Sequence, residues 1–92
     1  MLITIEEARD ALRIDGTDND SIIQALLDSI PSYLEVSTGK SWDTEPVHPL
    51  AQTITKFILQ LWFDPQGPDS ERLRRTIESL FVGLTAIGRA LE

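Results

Sequence analysis

Cysteine is absent from this chain of 92 residues, and histidine occurs once. Without thiols there is no disulfide framework, no thiolate nucleophile and no cysteine-based metal site; a cytosolic or virion setting is expected rather than a secreted one. No apolar run approaches the roughly 18–20 residues that cross a bilayer, so no membrane segment is expected. The opening MLITIEEARD has no basic start and does not read as a signal peptide. The five glycines never gather into a phosphate-cradling loop, and no spacing of Ser, His and Asp resembles a nucleophile elbow or a metal-binding helix. His48, between Val47 and Pro49, reads as a loop residue. A chain this short rarely builds a large water-excluding pocket. No enzyme is expected, and no catalytic residue, cofactor or metal ligand is assigned.

Positive charge is scarce in one half only. Met1 to Val47 holds ten acids against three bases (Arg9, Arg13, Lys40), whereas His48 to Glu92 holds five of each. The whole net charge of −7 therefore sits in the first half. An acidic half repels phosphate, which disfavours nonspecific nucleic-acid binding through it.

What is present is an ordinary globular composition, 41% apolar and 25% charged, enough for one small core. One domain over residues 1–92 is expected, all-α, a small bundle of about four helices. TIEEARDAL opens with Thr4 and Glu7 at capping-box spacing, and Ile5, Ala8 and Leu12 continue at helical intervals. Ile22, Ile23, Leu26, Leu27, Ile30, Tyr33 and Leu34 form the stripe of a second helix that Gly39 closes. Pro31 lies inside that pattern, so a kink or a break is predicted there. Pro46 and Pro49 mark a connector. From about Leu50 to Phe63 the third helix is the most hydrophobic, with Ile54, Phe57, Ile58 and Leu61 in its stripe and Leu59 at its back. A helix so apolar is expected at the centre. DPQGP ends it. The fourth helix begins near Asp69 or Ser70, with Glu71 and Arg75 as a surface pair. Gly83 and Gly88 predict a stop or bend near its end.

RIDGTDND, residues 13–20, tests a calcium reading. Counted from Asp15, the closing position of a calcium loop is Leu26, which offers no oxygen, and Asp20 stands where the loop needs glycine. The motif reads instead as a turn: Gly16 takes the awkward backbone angles, and the Asp/Asn cluster supplies side-chain oxygens to the next helix. Two features remain as candidate protein-interface residues. Arg72, Arg74 and Arg75 could meet an acidic surface or simply face solvent between Glu71 and Glu78. Trp42 is either a lid over the core, the preferred reading, or an exposed anchor.

The order of ITIEEARDALRID, GTDNDSIIQALLDSIPSYLEVSTGKSW, PLAQTITKFILQLWFDP and DSERLRRTIESLFVGLTAIG resembles the head–tail connector (adaptor, head-completion) proteins of tailed bacteriophages and prophages. The resemblance covers essentially the whole chain. It rests on a short helix before an Asp-rich turn, a long helix closed by Thr38 and Gly39, and an apolar helix ending in Trp62 and Phe63. It implies a structural, non-catalytic subunit that forms a ring with copies of itself beneath the portal protein, on which neck or tail-completion proteins dock. Its place would be the virion head–tail joint, or the host cytoplasm before assembly. A competing reading is a small acidic helical regulator or inhibitor that binds a protein, or less readily DNA. Sequence-specific DNA contact is not expected, because the arginines sit beside glutamates with no Asn or Gln reader.

Overall fold

The computed structural model describes residues 1–91. Four helices follow one another: α1 (Ile5–Leu12), α2 (Asp20–Thr38), α3 (Pro49–Phe63) and α4 (Ser70–Ala90). No strand occurs among the described residues, and none of their helices is long and apolar enough to cross a membrane. The fold is an all-α bundle.

Local chemistry sets most of the boundaries. Thr4 Oγ1 accepts the Glu7 N–H at 3.1 Å while Glu7 Oε1 accepts the Thr4 N–H at 3.0 Å, a complete capping box at the start of α1. Gly39, at φ 91°, closes α2 by donating its N–H to the Glu35 carbonyl. Pro49 opens α3, where its missing N–H costs nothing. His48 is more than a loop residue, because its Nδ1 accepts the Leu50 N–H at 3.1 Å and so caps α3.

Four expectations are corrected. The Asp/Asn cluster does not cap α2: Asn19, its N-cap, makes no side-chain bond. Asp20 turns to Arg9 instead, and two charge-assisted bonds outweigh a cap. Of the kink or break expected at Pro31, the break does not occur: α2 runs through it as one helix. The buried Ile23, Ile30 and Leu34 hold the helix on both sides of it. Pro31 itself is half-buried at the rim of a cleft of about 300 Å³ beside Leu27, whose carbonyl loses its helical partner there. Gly83 and Gly88 do not end α4. Gly88 is a place of close approach, where a Cβ would lie 3.4 Å from Lys40 and Trp42, whereas one at Gly83 would make ordinary contact, 3.7 Å from Leu50. Glu71 pairs with Arg74, not Arg75.

The core joins all four helices. Ile54 and Ile58 are fully buried as expected, but so are Leu59 and Thr55, while Phe57 and Leu61 are only partly so. Leu59 thus belongs to the core face rather than the back. The position at the centre is shared: α2 and α3 each pack against the other three helices, and α1 does not reach α4.

Candidate docking surface

Trp42 is 9% exposed and forms part of the core, as a lid does. Its Nε1 donates to Thr38 Oγ1 at 3.0 Å, and that hydroxyl donates to the Leu34 carbonyl at 2.7 Å. His48 stands edge-on to its ring with centroids 5.8 Å apart. Trp42 takes φ 62°, a left-handed backbone uncommon for a bulky residue, so the connector is shaped around the burial of this ring. The part left open lines an apolar groove of about 360 Å³ with Pro46, Val47, Pro49 and Leu91.

The three arginines share the first turns of α4 but do not converge. Arg72 reaches Asp69 at 3.3 Å, both largely exposed. Arg74 reaches Glu71 at 3.4 Å and the Pro65 carbonyl at 3.3 Å. Arg75 is exposed and makes no ion pair among the described residues. The result is a mosaic of weak surface pairs with one guanidinium to spare.

Between Arg9 and Asp20 the geometry is tighter, at 2.8 Å (Nε to Oδ1) and 2.6 Å (Nη2 to Oδ2). This hydrogen bonding holds the Asp20 carboxyl below its ordinary pKa and the Arg9 guanidinium above its own, against partial desolvation of both. The pair ties α1 to the first turn of α2. It also removes Asp20 from the acidic turn as a free ligand, and no group of three or more metal-ligating side chains is gathered among the described residues.

Sequence reasoning missed the apolar surface. Apart from Met1 and Leu91 near the two ends, the large apolar side chains left exposed are Ile22, Tyr33, Val36 and Val82, all on α2 or α4. On α2, Ile22, Ala25, Ser29, Ser32 and Val36 recur in steps of three and four, so they share one face, and all are exposed. None carries charge. On α4 the same steps link Arg72, Arg75, Ser79, Val82 and Ala86, again all exposed. The signal was in the sequence, because Val36 and Val82 lie off the apolar stripes of their helices.

The two helices are held side by side. Tyr33 packs on Phe81 and on Trp62, with ring centroids 5.5 and 5.1 Å apart. One turn further, Ser37 shares a shallow cleft with Phe81, Thr85 and Arg89. A step along α2 is thus a step the same way along α4, and the two run in the same direction.

A small all-helical protein whose α2 and α4 leave apolar and charged side chains exposed is what the fold and surface define. Residues 2–83 match the family model of the phage gp6-like head-tail connector proteins, and the chain belongs to that family. It is a member of a family of structural phage proteins. No curated protein and no solved structure matches the chain.

Proposed function

We propose that this chain is an adaptor subunit of the head–tail joint, non-catalytic, which assembles as a ring on the portal and receives a neck or tail-completion protein. The observation that carries the reading is the family match across residues 2–83. Two physical features support it. The acidic first half gives the ring a surface that repels phosphate, as the wall of a DNA conduit must. Arg72, Arg74 and Arg75, interleaved with Glu71 and Glu78, supply the guanidinium contacts for an acidic neighbour, with the small open edge of Trp42 as a further contact. Ring neighbours meet through two different patches, and such contacts need hold only on the portal template. The subunit belongs to the virion joint, and to the host cytoplasm until it is assembled.

The test is co-sedimentation with the portal ring encoded in the same phage genome. Saturable binding at one chain per portal subunit is expected, and Arg72→Glu, Arg74→Glu and Arg75→Glu together should weaken it. No binding at any concentration removes the reading. The regulator alternative is tested by mobility shift with duplex DNA at about 50 mM salt, where a phosphate-neutralising protein binds well. No shift is expected; a saturable shift lost with the three arginines would favour the regulator.

A further inference from the structure

The turn between α1 and α2 contains a reactive pair, Asp15 and Gly16, and both residues are exposed. Among the described residues the Asp15 carboxyl makes no hydrogen bond or ion pair, and the Gly16 N–H has no acceptor. Gly16 stands at φ 86°, and a Cβ built on it would meet nothing within 4 Å, so the space around its nitrogen is open. We propose that Asp15–Gly16 is a self-modifying site, at which the chain converts an aspartyl bond into an isoaspartyl bond without an enzyme. The Gly16 amide nitrogen attacks Asp15 Cγ. The N–Cγ bond forms, the bond from Cγ to the carboxyl hydroxyl breaks, and that hydroxyl leaves with the amide proton as water. A five-membered succinimide results. Solvent water then opens it at either carbonyl. Attack at Cγ restores aspartate, whereas attack at the backbone carbonyl leaves the chain running through Cγ. One water leaves and one returns, so the product keeps the mass of the original.

The fold restrains the other sites at which this chemistry could start. Asp10 and Asp28 lie inside α1 and α2, where the helix fixes the backbone. Arg9 holds the Asp20 carboxyl with two bonds, and the Asp43 carboxyl lies 2.6 Å from the Met1 ammonium. Asp64 precedes Pro65, which has no N–H to attack with. After Asp69, the Ser70 N–H donates to the Gly67 carbonyl at 3.1 Å. After Asn19, the Asp20 N–H donates to the Thr17 carbonyl at 3.1 Å. Asp18 is followed by Asn19, whose side chain crowds the nitrogen as a glycine does not. Only Asp15 combines a free carboxyl with an open, unbonded nitrogen. The product has one more methylene in its main chain. Ile14, packed against the core, and Asp20, tied to Arg9, anchor the turn at its two ends. The added length therefore falls on residues 15–19, and the helices keep their places. The new α-carboxylate is the group that isoaspartate-repair methyltransferases esterify, so the turn becomes a methyl acceptor.

The test keeps the full-length protein folded in mildly acidic buffer over weeks and samples it with time. An isoaspartate methyltransferase supplied with S-adenosylmethionine counts the modified residues. A protease that cuts before aspartate, and skips isoaspartate, locates them. A steadily rising methyl-accepting fraction is expected, confined to residue 15 and preceded by a minor species lighter by one water. Asp15→Glu keeps the charge but would have to close a six-membered ring, and Gly16→Ala crowds the nitrogen. Each should reduce the signal to near background. Circular dichroism checks that every sample is folded, and Asp15→Glu carries the test if the positive φ at residue 16 makes the alanine variant unstable. Three results overturn the proposal. The first is no isoaspartate in the folded chain; its appearance only in urea would mean that the turn protects the pair. The second is a signal spread over the other aspartates, and the third is one undiminished in Asp15→Glu.

Discussion

α2 and α4 are alike in length and unlike in what they carry. Each runs through residues that ordinarily end helices, Pro31 in one and Gly83 and Gly88 in the other, and neither is capped by a side chain at its start. Each is held by a buried face: Ile23, Ile30 and Leu34 in α2; Ile77, Leu84 and Gly88 in α4. Their outward faces differ, one uncharged and one led by arginines. Tertiary packing therefore overrides local propensity on the inside. Only the outside is free to differ, and there the two helices carry different side chains.

The comparison presumes one shared core, and its largest test is there. Ile58 is fully buried in α3, which packs on both α2 and α4. Ile58→Asp would bury an unpaired carboxylate at a cost on the order of 3 kcal/mol or more, a large part of the stability of so small a domain. Loss of the helical circular dichroism and of cooperative melting is expected. A folded variant would mean that the two helices do not depend on a common core.

Pro31 and the glycines come next, because the two kinds of breaker should respond differently. Pro31→Ala restores an N–H to the Leu27 carbonyl and removes a ring, and should raise stability by about 1–3 kcal/mol in urea melts. Gly83→Ala adds a methyl group in ordinary contact with Leu50 and should give about 0.5–1 kcal/mol. Gly88→Leu should have the opposite sign, a loss of about 1–3 kcal/mol, since Trp42 and Lys40 already stand where its side chain must go. A stabilising Gly88→Leu would remove close approach as the reason for that glycine.

These residues also show what could be read in advance. Four helices, the capping box at Thr4 and Glu7, and Gly39 as a stop were legible because each depends on spacing within a few residues. Ile54 and Ile58 were legible from the period of the stripe. Leu59 was not, since a helix apolar nearly all round does not reveal which side is buried. The continuity of α2 and α4 was hidden because it depends on partners distant in sequence. Asp20 was misassigned for the same reason: its bond to Arg9 spans eleven residues, and turn chemistry sees only the next few. The candidate surface was half visible. The arginines drew notice by their charge, while Val36 and Val82 were legible only as apolar residues standing off the stripes of their helices.

The smallest expected effect separates the starts of the two helices. Asp20, at the start of α2, makes two short bonds to a partly buried Arg9, whereas Asp69, before α4, makes one long contact to an exposed Arg72. Asp69→Asn should shift the melting temperature by no more than a surface pair does, within about 1 kcal/mol. Asp20→Asn should cost more than Asp69→Asn at neutral pH, and the difference should depend on pH. The folded-state pKa of Asp20 is lowered by Arg9, so its contribution is present in full above the unfolded carboxylate value of about 3.9. As pH falls below that value towards the lower folded pKa, the contribution fades, and wild type and Asp20→Asn should converge. Melting curves of the two proteins from neutral to acid pH would show it. A gap that stayed constant into acid would mean that Asp20 acts by shape rather than charge, and the two helix starts would differ in packing alone.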